Sequence, residues 1–296
     1  MRVRVLGSAA GGGFPQWNCG CDNCRGVRAG TLAAAPRGQE CVAVSADART
    51  WVLLNAPPDV GAHLASWPVL HPRARRDSPV AAIVLTSGEL DHCLGLLAMR
   101  ESQPIAVYAT AAVRDGFARN AAAAALSAVV WRTLELGRDT EIRGAGGEPT
   151  GLVVEARAVP GRVPGYLATV VSPSPEDVVA LRVRDGGGRL AYCPGAARVD
   201  DAVTGALGDV DACFFDGTFW SSDELIRAGL GTRRAEEMAH APVDDSLVHL
   251  AGVTAKRRIL IHLNNTNPLL VDDGPERAEA LARGWEVAHD GMELRL

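Results

Sequence analysis

Short apolar runs separated by turn residues form the main pattern along this chain. Runs rich in β-branched and other apolar residues predict strands, which are residues 3–6, 41–45, 51–55, 80–86, 105–110, 152–159, 178–183, 189–193, 212–215 and 258–262. The Asp-Gly-Gly-Gly stretch at 185–188 predicts a hairpin between two of these strands. Residues 285–288 and 292–296 are expected to close the chain as a second hairpin.

Helical spacing of apolar residues appears between the predicted strands. It predicts helices at residues 92–101, 111–125, 244–252 and 274–283, the last with Pro275 in its first turn. Strands in both halves with helices between them predict the α/β (α+β) class, as an αββα sandwich of two packed sheets. Because no segment rich in Pro, Gly or Ser divides the chain, we expect one domain over residues 1–296.

Composition narrows the classes of function. The chain has 296 residues, is 47% hydrophobic and carries a formal net charge of −5. A negative balance argues against nucleic acid as a partner, since phosphate binding needs a basic face. The N-terminus lacks an export signal and no apolar run is long enough for a membrane span. Seven cysteines, an odd number, then favour a cytoplasmic location.

Three of these cysteines lie within six residues, at Cys19, Cys21 and Cys24. Thiolates bind Zn²⁺ tetrahedrally, and a Cys-x-x-Cys turn aims two sulfurs at one point. A disulfide or a chance cluster is the alternative, although a disulfide would leave one thiol unpaired. We therefore predict a structural zinc site. Its fourth ligand is left unassigned, with Asn265 or a histidine near the open corner by position.

A second group of ionisable residues follows the strand at 80–86. Glu89, Asp91 and His92 can converge on one cation at the edge of a sheet, or they can form an ordinary helix N-terminus in which acids cap free amides. His262 ends another predicted strand and is either a metal ligand or a buried core histidine.

Two further residues stand at junctions between elements. His240 precedes a predicted helix. Asp216 ends a buried strand, and its alternative, purely structural role is to form an Asx-turn.

These motifs resemble known metal-binding proteins. The stretch ending in Asp91-His92 is similar to the end of the His-x-His-x-Asp-His motif of the metallo-β-lactamase superfamily. Longer strings resemble the PqqB family of pyrroloquinoline quinone (PQQ) biosynthesis proteins, from one end of the chain to the other. They are residues 6–19 (LGSAAGGGFPQWNC), 55–59 (NAPPD), 90–92 (LDH), 216–220 (DGTFW), 237–240 (EMAH), 261–268 (IHLNNTNP) and 288–292 (AHDGM).

The resemblance implies a metallo-β-lactamase fold and an iron- and O₂-dependent hydroxylase. Its expected substrate is the tyrosine ring of a Glu–Tyr unit derived from a precursor peptide, and other PQQ-pathway enzymes are candidate partners. The alternative implied by the family is a non-enzymatic carrier that helps to transport PQQ or its precursor to the periplasm. We favour the enzyme, because a carrier has no need of converging ionisable groups.

Departures from the superfamily pattern define the expected metal centre. Both earlier histidines of the motif are changed, residues 159–170 contain no histidine, and residues 191–195 contain no bridging aspartate. This argues against two hydrolytic metals. We expect Fe²⁺ on His92, His262 and Asp91, a ligand set typical of non-haem oxygenases.

The remaining roles follow the same resemblance. Glu89 or Asp216 is expected as an additional carboxylate beside the iron. His240 is expected to transfer protons, because imidazole titrates near working pH.

Overall fold

Two seven-stranded sheets form the centre of the molecule. The computed structural model describes residues 1–101 and 103–296. The first sheet contains β1 (Arg2–Gly7), β2 (Cys41–Ser45), β3 (Trp51–Leu54), β4 (Val80–Val84), β5 (Ile105–Ala109), β6 (Val129–Thr133) and β14 (Glu293–Arg295). The second contains β7 (Asp139–Arg143), β8 (Pro149–Ala158), β9 (Val179–Arg184), β10 (Arg189–Cys193), β11 (Val210–Asp216), β12 (Ala255–Ile261) and β13 (Trp285–Val287).

Short helices connect the strands. They are α1 (Asp22–Ala29), α2 (Val60–Ser66), α3 (Leu90–Cys93), α4 (Ala111–Phe117), α5 (Asp201–Leu207), α6 (Glu224–Arg227), α7 (Val243–His249) and α8 (Pro275–Ala282). Single 3₁₀ segments lie at Pro68–Leu70, Leu94–Met99, Ala121–Ala125, Glu236–Met238 and Pro268–Leu270. None of the helices in the described ranges is long and apolar enough to cross a membrane.

The strand order brings the carboxyl ends of the parallel strands together in each sheet. In the first sheet the order is β14-β1-β2-β3-β4-β5-β6, and β3 to β6 are parallel. In the second it is β13-β12-β11-β10-β9-β8-β7, with β10 to β13 parallel. Carboxyl ends of parallel strands meet at one sheet edge, so the loops after β4, β11 and β12 are available to form a site.

Successive side chains along each strand alternate between the core that separates the sheets and the outer face of the sheet. Ile259 and Ile261 of β12 point into the core between the sheets, whereas Leu260 packs on the outer, helix-covered side. The core between the sheets takes residues from both of them, including Val84 and Phe214. Helices cover the two outer faces, so the predicted αββα sandwich is confirmed.

Several predicted elements differ from the structure. The final hairpin is wrong, because β13 pairs with β12 in the second sheet and β14 pairs with β1 in the first. The helix predicted at 111–125 ends at Phe117, and the one predicted at 92–101 is α3 followed by a 3₁₀ segment. The 185–188 hairpin is confirmed by the antiparallel pairing of β9 with β10.

Candidate functional site

Asp91, His92 and His262 come together where the sheets' carboxyl edges meet. Each offers a ligand atom, and these atoms lie within 4.8 Å of one another. His262 Nε2 is 3.1 Å from Asp91 Oδ2. The backbone of His262 has φ 64°, a left-handed conformation that is unfavourable for a non-glycine residue and is often found at functional sites. The predicted ligands of the cation are therefore in reach of one ion.

Hydrogen bonds assign the tautomer of His92. Its Nδ1 lies 2.7 Å from Ser87 Oγ and 3.3 Å from Thr86 Oγ1. Thr86 donates its own hydroxyl proton to Asn55 Oδ1, so it is free to accept from a protonated Nδ1. We therefore place the proton of His92 on Nδ1 and the lone pair on Nε2.

The Nε2 atom of His92 shows that this group fits a metal ion. It is buried and finds no hydrogen-bond partner among the described residues. Burial, reinforced by the neighbouring His262 and His240, lowers the pKa of His92 to about 4, so the ring is neutral near pH 7. A buried lone pair without a donor is costly unless a cation accepts it. The donor set suits a divalent transition metal.

A second group joins the same centre through His262. Asp216, His240 and His262 also present atoms within 4.8 Å of one another. Asp216 Oδ2 lies 2.8 Å from His240 Nδ1, and Thr218 Oγ1 lies 3.0 Å from that nitrogen and 2.7 Å from His262 Nδ1. Burial disfavours the imidazolium, but the Asp216 carboxylate outweighs it and raises the pKa of His240.

Glu89 lies beside the first group of converging residues. It stands at the start of α3, with its backbone N–H donating to Ser87 Oγ, and it belongs to neither group of converging atoms within the described ranges. Burial and the charge of Asp91 raise the pKa of Glu89. Its side chain makes no capping hydrogen bond to α3, and its role as an additional carboxylate beside the metal stays a prediction.

The glycine-rich loop lies against the carboxylate of the first group. A Cβ on Gly11 would stand 3.0 Å from Asp91 Oδ2. A side chain at this position would crowd the oxygen that faces His262. The loop after β1 therefore shapes the metal centre through the absence of a side chain.

Sequence reasoning missed Glu40. This residue directly precedes β2 and is fully buried, with its Oε2 3.7 Å from His92 Nε2. Burial raises the pKa of Glu40 well above its usual range. The available signal was an acid immediately before a strand whose five residues are all apolar or small.

The three cysteines converge as predicted. The Sγ atoms of Cys19, Cys21 and Cys24 lie within 4.8 Å of one another, and none of the three forms a disulfide. Cys21 is the N-cap of α1 and accepts the Cys24 N–H at 3.5 Å. The side-chain amide of Asn265 stands over the cluster, 3.1, 3.6 and 3.5 Å from the three sulfurs in chain order. Three thiols with a polar group at the open corner fit a zinc site.

Comparisons with known proteins show the family of this chain. The profile of the Beta-lactamase superfamily domain matches residues 50–263. Coenzyme PQQ synthesis protein B of Methylobacterium radiotolerans is 43% identical and that of Ruegeria pomeroyi 42%, each over the full length of both chains.

Solved structures also resemble this chain. The crystal structure of Zn²⁺-bound PqqB from Methylobacterium extorquens is 41% identical, covers all of both chains and superposes with a TM-score of 0.93. A diphosphatase of the PhnP family shares the fold, with a TM-score of 0.71 at 19% identity over 100% of this chain and 97% of its own. This chain belongs to the coenzyme PQQ synthesis protein B family, within the metallo-β-lactamase superfamily.

Proposed function

We propose that this protein acts in PQQ biosynthesis by hydroxylating the tyrosine ring of a Glu–Tyr unit, with Fe²⁺ and O₂. The family membership supports the pathway. The observation that carries the chemistry is the meeting of Asp91, His92 and His262, with the lone pair of His92 Nε2 left unpaired. Two imidazoles and one carboxylate leave coordination positions open, which is the pattern of O₂-using iron sites.

The reaction balances with one external reductant. One atom of O₂ enters an aromatic C–H bond to give C–OH. The other leaves as water, with two protons and two electrons from a small two-electron donor. Bound iron would supply the activation of O₂, while the protein supplies the orientation and the proton transfers.

We assign the transfer of those protons to His240. Its Nδ1 donates to Asp216, so Nε2 carries the lone pair that can accept a proton. Thr218 bonds to both Asp216 and His262, which fixes the two rings relative to each other, and their centroids are 5.4 Å apart. Asp216 thus acts through His240 as its orienting carboxylate.

We assign a structural role to zinc at the cysteine cluster. The thiols hold the N-terminus of α1 against the loop that carries Asn265, three residues after His262. Three thiolates together with a fourth protein ligand would leave zinc no open position for substrate. Its contribution would be to keep the His262 loop in place.

The decisive experiment is anaerobic reconstitution. The protein is loaded with Fe²⁺, mixed with Glu–Tyr dipeptide and ascorbate, and then exposed to O₂, with mass spectrometry of the product. We expect oxygen to be added to the tyrosine ring, labelled when ¹⁸O₂ is used. His92→Ala should abolish the product because it removes a ligand.

A matched control excludes general damage. His71 is exposed and lies outside the site, so His71→Ala should retain full hydroxylation. Full hydroxylation by His92→Ala would contradict the ligand assignment. Tight binding of PQQ with no turnover by the iron-loaded protein would instead support the carrier.

A further inference from the structure

Glu40 is a buried acid that the proposed chemistry does not yet use. Its side chain is 1% exposed, and its backbone N–H donates to Ala9 of the glycine-rich loop at 2.7 Å. Carboxylates are almost never fully buried unless they are paired or bind a metal. The contacts of Glu40 therefore need an explanation.

One oxygen of this carboxylate has a fixed partner and the other has none. Oε2 accepts from Asn55 Nδ2 at 2.9 Å. The orientation of that amide is set because Asn55 Oδ1 accepts from Thr86 N at 2.9 Å and from Thr86 Oγ1 at 3.0 Å. Oε1 is buried and finds no hydrogen-bond donor in the described ranges.

The nearest functional atom is the unpaired nitrogen of His92. Glu40 Oε2 and His92 Nε2 are 3.7 Å apart, beyond hydrogen-bond distance. With the proton of His92 on Nδ1, two acceptors face each other in a buried space. Ligand bonds of about 2.1 Å place two ligand atoms of one ion roughly 3–4 Å apart. A cation between Glu40 Oε2 and His92 Nε2 would accept a lone pair from each of them.

The net charge of the site also favours a second carboxylate beside the cation. Asp91 contributes one negative charge to the first group, and its two histidines contribute none when neutral. A divalent ion bound there would exceed that charge by one, and Asp216 is paired with His240. Burial raises the pKa of Glu40 when no cation is present, and a cation beside His92 would lower that pKa again, so that the carboxylate of Glu40 compensates the excess charge.

We propose that Glu40 supplies a second carboxylate ligand to the cation bound by His92. The centre then consists of two imidazoles and two carboxylates, from the loops before β2, after β4 and after β12. This inference rests on the proposed cation at His92, whereas it is independent of the hydroxylation itself.

Cobalt binding tests the assignment without any turnover. Protein whose cysteine site is first filled with Zn²⁺ is titrated with Co²⁺, and both the dissociation constant and the visible absorption are recorded. Glu40→Gln should weaken Co²⁺ binding by about tenfold or more and change the intensity of the visible bands, because a ligand is lost. Glu40→Asp should retain binding with an altered spectrum.

Glu224 provides the matched control. It is another buried glutamate, bonded to Trp220 N, and it lies outside both groups. Glu224→Gln should bind Co²⁺ as the wild type does. Thermal melting of each variant confirms folding. If Glu40→Gln melts early, the spectrum of Glu40→Asp decides: an altered spectrum supports the ligand role, and a wild-type spectrum overturns it.

The outcomes separate the two proposals. Wild-type affinity in Glu40→Gln, or weaker binding with an unchanged spectrum, overturns the ligand role. Unchanged Co²⁺ binding in His92→Ala overturns it together with the metal centre. A protein that needs Glu40 for Co²⁺ and yet adds no oxygen to Glu–Tyr would sustain this inference while refuting the proposed reaction.

Discussion

At the scale of single residues, the contact between Asp216 and His240 is the one to which we assign proton transfer. Asp216→Asn removes the charge that raises the pKa of His240 and disturbs the acceptor for its Nδ1 proton. We expect hydroxylation to fall by about 100-fold or more. Because the substitution lowers the pKa of His240, the part of the kcat/KM–pH curve that follows the protonation of His240 should move to lower pH. The measurement is kcat/KM for Glu–Tyr across pH.

The control for this prediction is a similar pair on the surface. His249 Nε2 lies 3.5 Å from Asp245 Oδ2 in an exposed position. Asp245→Asn should leave the pH profile unchanged. An unchanged profile in Asp216→Asn would contradict the proton-transfer role of His240.

The residues that the sequence predicted share a positional signal. Asp91, His92, Asp216 and His262 each follow or end a buried strand, and the carboxyl ends of parallel strands gather at one edge. Glu40 precedes its strand instead. It reaches the same edge because β2 runs antiparallel to β1 and β3, which no local pattern reveals. The sequence therefore predicted residues that the structure brings together at this edge, and it missed Glu40, whose place there depends on strand pairing.

At the scale of elements, substitutions at the N-terminus of α1 test the proposed zinc site. Cys21 both contributes a thiol and caps the helix. Cys21→Ala and Cys21→Ser should each lose zinc, measured by elemental analysis, and melt at lower temperature. Since serine is a good N-cap, Cys21→Ser should be the more stable of the two by about 1 kcal/mol. A full zinc complement in either variant would contradict the site.

Strands were predicted more reliably than helices, for a physical reason. Runs such as residues 80–84 are apolar because both of their faces are covered, and this signal is local. The helix at α1 has one fully buried residue, Cys24, so its apolar face is too short to detect. The final hairpin was wrong because its two segments pair with strands that are distant in sequence, β13 with β12 in the second sheet and β14 with β1 in the first, and no local pattern reveals those partners.

At the scale of the whole molecule, Glu224 makes stability depend on pH. Burial raises its pKa to about 7 in the folded protein, against 4.5 for the free side chain. The folded state therefore holds this proton more tightly, and stability falls as the pH rises from about 4.5 to 7. One pKa unit corresponds to about 1.4 kcal/mol, so the effect is on the order of 3 kcal/mol.

Urea unfolding of Glu224→Gln and wild type at pH 5 and pH 8 measures this effect. The difference in unfolding free energy should shift in favour of the variant at the higher pH. Glu236 is exposed, so Glu236→Gln should show no such shift. A constant difference between Glu224→Gln and wild type would show that Glu224 ionises normally.

A single short loop serves both metal-binding regions. His262 reaches one and Asn265 reaches the other, with only two residues between them. If zinc occupies the cysteine cluster as proposed, its removal by a chelator would then misplace an imidazole of the proposed iron centre. Assays on such material would report slow turnover although every proposed iron ligand was intact, so the metal content must be measured together with any turnover number.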